Sequence, residues 1–258
     1  MNKDIKISFL VLDYRKYEET NQCLSSIRKH ALFPHQVILL DNGAADLEYP
    51  NELYYSGLCD VLIRKKQGYG GGHGQTDLIR FCNTEYFIFV QNDQKLILDI
   101  TSEHVDYFIS LLSKYHCIDM NGDQSGKGIW TDRAHMMKTD VFNKLGPFPN
   151  GGPGLDNLKW NEQHLQEQFK IKDYKIAHIN PTPFQDCGKW SIREAGDGIY
   201  KHRTDTKLLF IEKQPTYRTQ VFPPFDDKDW ELALSGEWPN NGKIPNLWQK
   251  HSFIVWPD

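Results

Sequence analysis

Short apolar runs alternate with helical patterns over the first hundred residues, and this alternation constrains the fold more than any other feature. Four runs have the length and the β-branched or aromatic content of buried strands: 5–12, 37–40, 61–63 and 86–90. An amphipathic helix is predicted over 17–31, between the first two runs. Strands that alternate with helices form a mostly parallel sheet with right-handed crossovers. The sequence therefore predicts an α/β fold.

Polar residues follow the predicted strands at the points where the strands end. Asp13 follows the first strand, Asp41 the second, the glycine-rich segment 68–74 the third, and Asp93 the fourth. In open α/β sheets ligands bind beyond the carboxyl ends of the strands. We therefore expect a ligand site at this edge of the sheet.

The segment 68–74 contains five glycines in seven positions and precedes a helix predicted over 76–81. Exposed backbone N–H groups followed by a helix N-terminus suit a diphosphate. A mobile surface loop is the alternative. A third interpretation uses Gly68, Gly70 and Gly74 as a dinucleotide fingerprint, with Asp93 as its acidic residue. That interpretation would make the chain an NAD- or nucleotide-sugar-dependent oxidoreductase.

Two carboxylates remain open to a structural and a chemical interpretation. Asp93 is either a turn former or a ligand for a hard cation that also binds diphosphate oxygens. Glu162 lies on a helix predicted over 158–172, on one face with Leu165 and Phe169. It is therefore either a core carboxylate with a partner or a general base.

The C-terminal part of the chain has a different composition. Four of the seven tryptophans lie beyond residue 207, and periodicity is weak there. We predict one domain over 1–200 and an irregular, aromatic extension over 201–258 that packs on it.

The overall composition excludes several classes. Hydrophobic residues make up 39% of the 258 residues and charged residues 25%, which excludes a disordered chain, a collagen-like fibre and a coiled coil. The net charge of −4 argues against a nucleic-acid partner. No apolar run approaches the roughly 20 residues of a membrane helix, and no secretory signal is predicted. Five cysteines without a CxxC pair indicate neither a disulfide framework nor a zinc site, and suit a reducing cytoplasm.

Several segments, in order, resemble the motifs of glycosyltransferase family 2, the inverting sugar-nucleotide enzymes with the GT-A fold. The resemblance covers about residues 5–192 and rests on ISFLVLDYRKYEETNQCLSSI, VILLDNGAAD, KKQGYGGGHGQTDLIRF, FIFVQNDQ, MMKTDVFNKLGPF, WNEQHLQEQFKIKDYKIAHI and PFQDCGKWS. Several positions depart from the usual pattern, among them Glu162, where aspartate is usual, and three others. Gln91 replaces the first acid of the DxD motif, His73 replaces an arginine or asparagine, and Asp186 stands where a metal-binding histidine is common.

The resemblance implies a glycosyltransferase with a GT-A sheet flanked by helices. Its donor would be a nucleoside-diphosphate sugar, with UDP or dTDP as the expected nucleotide, and its acceptor a glycan or a lipid-linked glycan met from the cytoplasm. Glu162 would be the catalytic base, and Asp93 and Asp186 would bind Mn²⁺ or Mg²⁺. The implied nucleotide-binding residues are Asp13, Tyr14, Asp41, Gly70, Gly71, His73, Gln91 and Asn92. The Gln91 and His73 departures also support an alternative, a GT-A domain that binds a nucleotide or glycan without catalysis.

Overall fold

Nine strands form one sheet in the computed structural model, which describes residues 5–42, 47–65, 71–121, 133–145, 161–180, 183–186, 209–213 and 253–256. The strands are β1 (Ile7–Asp13), β3 (Gln36–Asp41), β4 (Val61–Lys65), β5 (Tyr86–Gln91), β8 (Cys117–Asp119), β9 (His135–Lys138), β10 (Ile176–Asn180), β12 (Leu209–Lys213) and β13 (Phe253–Trp256). Their order is β12-β10-β8-β9-β5-β1-β3-β4-β13. The four central strands, β5, β1, β3 and β4, run parallel.

The remaining strands make the sheet mixed. β9 pairs antiparallel with both β5 and β8, and β10 runs parallel to β8. β5, β8 and β10 therefore all end at the edge where β1, β3 and β4 end. Two small ladders lie outside the main sheet. They join β2 (Ala31–Leu32) to β7 (Ile100–Thr101) and β6 (Gln94–Leu96) to β11 (Phe184–Asp186).

Helices cover both faces of the sheet. One core cluster packs α1 (Tyr17–His30), α2 (Tyr49–Tyr55) and α4 (Ser102–Leu111) on one face. The other cluster packs α3 (Gly71–Arg80), α5 (Thr139–Leu145) and α6 (Asn161–Ile171) on the opposite face. Burial on both faces is why the strands are almost continuously apolar. The α/β fold predicted from the alternation is confirmed.

Two helices end in the same C-terminal motif with different residues. Gly57, after α2, has φ 76°, and Asp173, after α6, has φ 52°. In each case the next residue's N–H donates to the carbonyl five residues back, at 3.1 and 2.8 Å. This is the Schellman arrangement, in which glycine is the preferred left-handed residue.

One predicted helix boundary was wrong. The helix expected over 76–81 begins at Gly71, so the second half of the glycine segment is helical. The predicted extension over 201–258 contributes two short strands, β12 and β13, which pair antiparallel with β10 and β4 at the two ends of the sheet. The rest of that extension lies outside the described residues.

Candidate functional site

Asp13 lies at the end of β1 and joins four parts of the fold. Its side chain is buried and sits in register with Asp41 on β3. Oδ1 accepts hydrogen bonds from Thr20 Oγ1 on α1 and Asn92 Nδ2 after β5, both at 2.7 Å. Oδ2 accepts a hydrogen bond from the hydroxyl of Tyr49 on α2. Asp13 therefore fixes these elements around the edge.

The environment of Asp13 also acts on Tyr49. Burial raises the pKa of Tyr49 above its usual range, and the negative charge of Asp13 raises it further. The phenol consequently remains a hydrogen-bond donor across the physiological pH range. The contact joins the first turn of α2 to the end of β1.

Asp41, the predicted nucleotide ligand at the end of β3, is buried against an arginine. Arg64 Nε lies 3.0 Å from Asp41 Oδ2, with side chains 8% and 0% exposed. The same guanidinium donates to Asn51 Oδ1 at 3.3 Å and to the Leu47 carbonyl at 2.6 Å. Arg64 thereby fixes the segment that leads into α2. The sequence interpretation missed Arg64 because it ended the third strand at residue 63.

Lys65, the next residue on β4, points to the opposite face and forms a second buried ion pair. Its Nζ lies 2.7 Å from Oδ2 of Asp77 on α3, and the two side chains are 1% and 4% exposed. Burial lowers the pKa of Lys65, while the negative charge of Asp77 acts in the other direction. The pair ties the end of β4 to the middle of α3.

Gly74 explains how closely α3 packs on the strand ends. A Cβ at this position would lie 2.5 Å from Leu12 Cδ1 and 3.0 Å from Asn42 Nδ2, so the ends of these side chains would have to shift to admit it. The first turn of α3, which contains Gly71 and the backbone of His73, is thereby held at the edge. Helix N-termini carry backbone N–H groups without intrahelical partners and favour anions. Gly70 lies outside the described residues.

Asn92 and Asp93 follow β5 and have different surroundings. Asn92 is buried, and its amide nitrogen donates to Asp13 and to Thr20 Oγ1, the latter at 3.2 Å. Asp93 Oδ2 lies 3.2 Å from Lys16 Nζ. Gln91 is half-buried, and its backbone N–H donates to Gln94 Oε1 at 3.2 Å.

The predicted metal site fits these side chains poorly. Asp93 supplies one carboxylate, and the ammonium of Lys16 already binds it. The backbone of Asp186 lies opposite Gln94 in the β6–β11 ladder, beside Asp93, but its side chain is outside the described residues. No group of three His, Cys, Asp or Glu side chains among the described residues could hold a metal ion. A divalent cation at Asp93 would meet a like charge in Lys16.

Glu162 is the second residue of α6, and the structure describes its backbone only. The side chains of Leu165 and Phe169, on the same helix, are buried in the core, as the spacing predicted. The helix ends shortly before β10 begins and packs on the sheet, so its first turn lies towards the edge where the parallel strands end. Tyr14, at that edge after β1, is 57% exposed and open to a ligand.

Two buried amides, one within α3 and one just after β8, were missed by sequence interpretation. In the described part of the chain, neither amide atom of Gln75 nor of Asn121 has a hydrogen-bond partner, although the residues are 0% and 4% exposed. Gln75 follows Gly74 on α3, and Asn121 follows β8 at the carboxyl edge. An unmet buried polar group costs about 1–3 kcal/mol, so such positions are candidates for ligand or water contacts. No local pattern distinguishes them from other amides.

The described residues include four of the five cysteines and the helices that were searched for membrane spans. Cys23, Cys59 and Cys117 are buried thiols, and Cys82 is a half-buried one. Cys187 lies outside this part of the chain. None of the helices described is long and apolar enough to cross a membrane.

No protein-family model matches the sequence, and no curated protein matches it. Solved structures do share its fold. The mannosyltransferase PcManGT from Pyrobaculum calidifontis, in complex with GDP-Man and Mn²⁺, has a TM-score of 0.53 and 13% identity over 68% of this chain and 55% of that one. S. aureus TarS has a TM-score of 0.52 and 16% identity over 70% and 36%. TarS 1–349 in complex with UDP has a TM-score of 0.51 and 17% identity over 70% and 59%.

The chain thus spans between 36% and 59% of the length of these three proteins. At such low identity the likeness shows the fold alone. The fold is the GT-A-like α/β arrangement of these glycosyltransferases, with a mostly parallel sheet flanked by helices. The predicted fold class is therefore confirmed.

Proposed function

We propose that this chain is an inverting glycosyltransferase of the family 2 type. It would transfer a sugar from a nucleoside-diphosphate donor to a hydroxyl of a glycan or lipid-linked acceptor. The observation that supports this most is the convergence of Asp13, Asp41, Asp93 and the first turn of α3 at one edge of a GT-A-like sheet. Proteins of this fold hold GDP-Man or UDP in the structures compared above. UDP and dTDP are the nucleotides proposed here.

The role proposed for each residue at this edge follows from how exposed its side chain is. Tyr14 is exposed and offers a ring face to the nucleobase. The buried pair of Asp41 and Arg64 would lie beneath the nucleoside. Asp13 and Asn92 bind each other, so they position the strand ends rather than contact the ligand first. The first turn of α3, with Gly71 and His73, would lie against the diphosphate, next to Gly70.

Glu162 is the proposed general base. Its carboxylate would accept the proton of the attacking acceptor hydroxyl while the nucleoside diphosphate leaves from the opposite side of the anomeric carbon, which inverts the configuration. The position of the first turn of α6 supports this role. A divalent cation has no step in the proposal, because the one described carboxylate after β5 already binds Lys16.

The proposed base is tested with Glu162→Gln. We expect transferase or donor-hydrolysis rates to fall by about 10²–10⁴-fold, because a glutamine cannot take the proton. Binding of UDP or dTDP, measured by calorimetry, should stay within error of the parent protein. Glu103→Gln is the matched control, since Glu103 is an exposed acid in the first turn of α4 on the other face. Full activity of Glu162→Gln would refute the assignment.

A second experiment, a nucleotide screen, separates the other candidate functions. Thermal stability is measured with UDP, dTDP, GDP, CDP and NAD, followed by hydrolysis of the matching sugar nucleotides. Stabilisation by a nucleoside diphosphate without turnover would indicate the non-catalytic GT-A domain that Gln91 and His73 suggest. Stabilisation by NAD alone would indicate the oxidoreductase. The structure offers that alternative little support, because the glycine segment comes between β4 and α3 in the chain and does not follow β1, the strand that carries a dinucleotide fingerprint.

A further inference from the structure

Lys16 and Asp93 form an ion pair across the edge where β1 and β5 end. Lys16 Nζ lies 3.2 Å from Asp93 Oδ2, although the residues are 77 positions apart. The side chains are 34% and 19% exposed, so the pair borders on solvent. It occupies the place where the sequence predicted a metal-bound carboxylate.

The backbone that presents Lys16 is strained. Arg15 has φ 56°, in the left-handed region that non-glycine residues rarely adopt. The turn at Arg15 lets the chain leave β1 at Asp13 and begin α1 at Tyr17, with Lys16 as the N-cap residue. Strain of this kind persists where the surrounding structure requires it, and it clusters at functional sites.

The two cations on β4 are enclosed, whereas Lys16 is accessible. The side chains of Arg64 and Lys65 are 8% and 1% exposed, and each binds a buried carboxylate, Asp41 and Asp77 respectively. An anion that arrives from solvent at this edge therefore reaches the ammonium of Lys16 without breaking a buried pair.

We propose that Lys16 neutralises the diphosphate of the donor nucleotide, and that Asp93 holds its ammonium in place, so that nucleotide binding does not depend on a divalent cation. The inference rests on the proposed function, since it names the group that meets the donor's charge. An ammonium has three donors, so Asp93 takes one and leaves others for phosphate oxygens. Lysine binds phosphate as a compact point charge.

A metal site at Asp93 and a diphosphate site at Lys16 require different charges on these two side chains. If Asp93 were a metal ligand, its negative charge would be essential and Lys16 would compete with the metal. If Lys16 binds the diphosphate, its positive charge is essential and the charge of Asp93 is not, because an asparagine still offers an oxygen to the ammonium.

The experiment measures UDP and dTDP binding by calorimetry, in excess EDTA and in excess Mn²⁺. The parent protein is compared with Lys16→Met, Asp93→Asn and Lys29→Met. Lys29→Met is the matched control, because Lys29 is an exposed lysine in the last turn of the same helix, about 20 Å along the axis from Lys16. Circular dichroism melting of every variant shows whether it is folded.

We expect the parent to bind equally well in EDTA and Mn²⁺ and Lys16→Met to bind about 10- to 100-fold more weakly, as for the loss of a charged hydrogen bond. Asp93→Asn and Lys29→Met should stay within about threefold of the parent, well under a tenfold change. Binding by the parent that disappears in EDTA, or unchanged binding by Lys16→Met, would overturn the inference while leaving the proposed function standing. A parent that binds no nucleotide in either condition would overturn the proposed function, and this inference with it.

Discussion

Replacing Lys65 by methionine should be among the most destabilising single changes in this chain. The substitution keeps a long unbranched side chain but leaves Asp77 buried beside it without the ammonium that lies 2.7 Å away. Removing one partner of a buried ion pair costs about 3–5 kcal/mol, because the remaining charge is desolvated and uncompensated. Arg80 Nη1 lies 3.9 Å from Oδ1 of Asp77 and offsets part of that loss, so we expect the lower end of the range.

Urea denaturation and thermal melting, both followed by circular dichroism, measure the change in the free energy of unfolding and in Tm. For a chain of this size each 1 kcal/mol lowers Tm by about 2–4 °C, so Lys65→Met should melt about 6 °C or more below the parent. The double variant Lys65→Met/Asp77→Leu removes both charges, and we expect it to recover most of the lost stability. Lys144→Met is the control, because its pair with Asp140 is 62% and 66% exposed and should be worth no more than about 0.5 kcal/mol.

Two results would refute this reasoning. If Lys65→Met loses less than about 1 kcal/mol, the pair is not desolvated as its burial indicates. If the double variant is as unstable as the single one, the loss comes from packing around residue 65 and not from the unpaired carboxylate of Asp77.

Two further predictions concern the pH dependence of stability and the C-terminal ends of α2 and α6. Burial lowers the pKa of His135 to about 4 from 6.5, so the unfolded chain binds the extra proton between these values and stability should fall by roughly 3 kcal/mol as the pH drops from 6.5 to 4. Urea midpoints should lose this slope in His135→Phe, and an unchanged slope would contradict the burial argument. Asp173→Gly should raise stability by up to about 1 kcal/mol, and Gly57→Ala should lower it by a similar amount, because both positions are left-handed. Thermal melting checks both, and a loss in Asp173→Gly would show that the aspartate makes a compensating contact.

The predictable part of the fold is the part in which burial on both faces leaves a continuous apolar run. Such runs located β1, β3, β4 and β5 to within two residues at each end. β8 and β9 were missed for identifiable reasons. β8 has three residues, and β9 has the sequence HMMK, without a β-branched or large aromatic side chain, so neither carries a strand signal.

The glycine segment shows why composition alone misassigned an element. Glycine costs about 1 kcal/mol in a helix interior relative to alanine, so a run of glycines predicts a loop. Gly74 is nevertheless helical, and its lack of a Cβ suits the close approach of α3 to the side chains of Leu12 and Asn42. Conformational freedom and close approach both select glycine, and a single sequence does not separate them.

In the candidate site, too, only those features that local sequence patterns determine were predictable. The carboxylates at strand ends were predictable because strand periodicity and sheet topology locate them. Their partners were not predictable: Lys16 is 77 residues from Asp93, and Tyr49 is 36 residues from Asp13. Every carboxylate on this edge that the prediction used as a ligand meets a donor of the chain itself wherever its side chain is described. The chemistry of the edge therefore depends less on which acids are present than on which of those donors a ligand can reach, and Lys16 is accessible where Arg64 is enclosed.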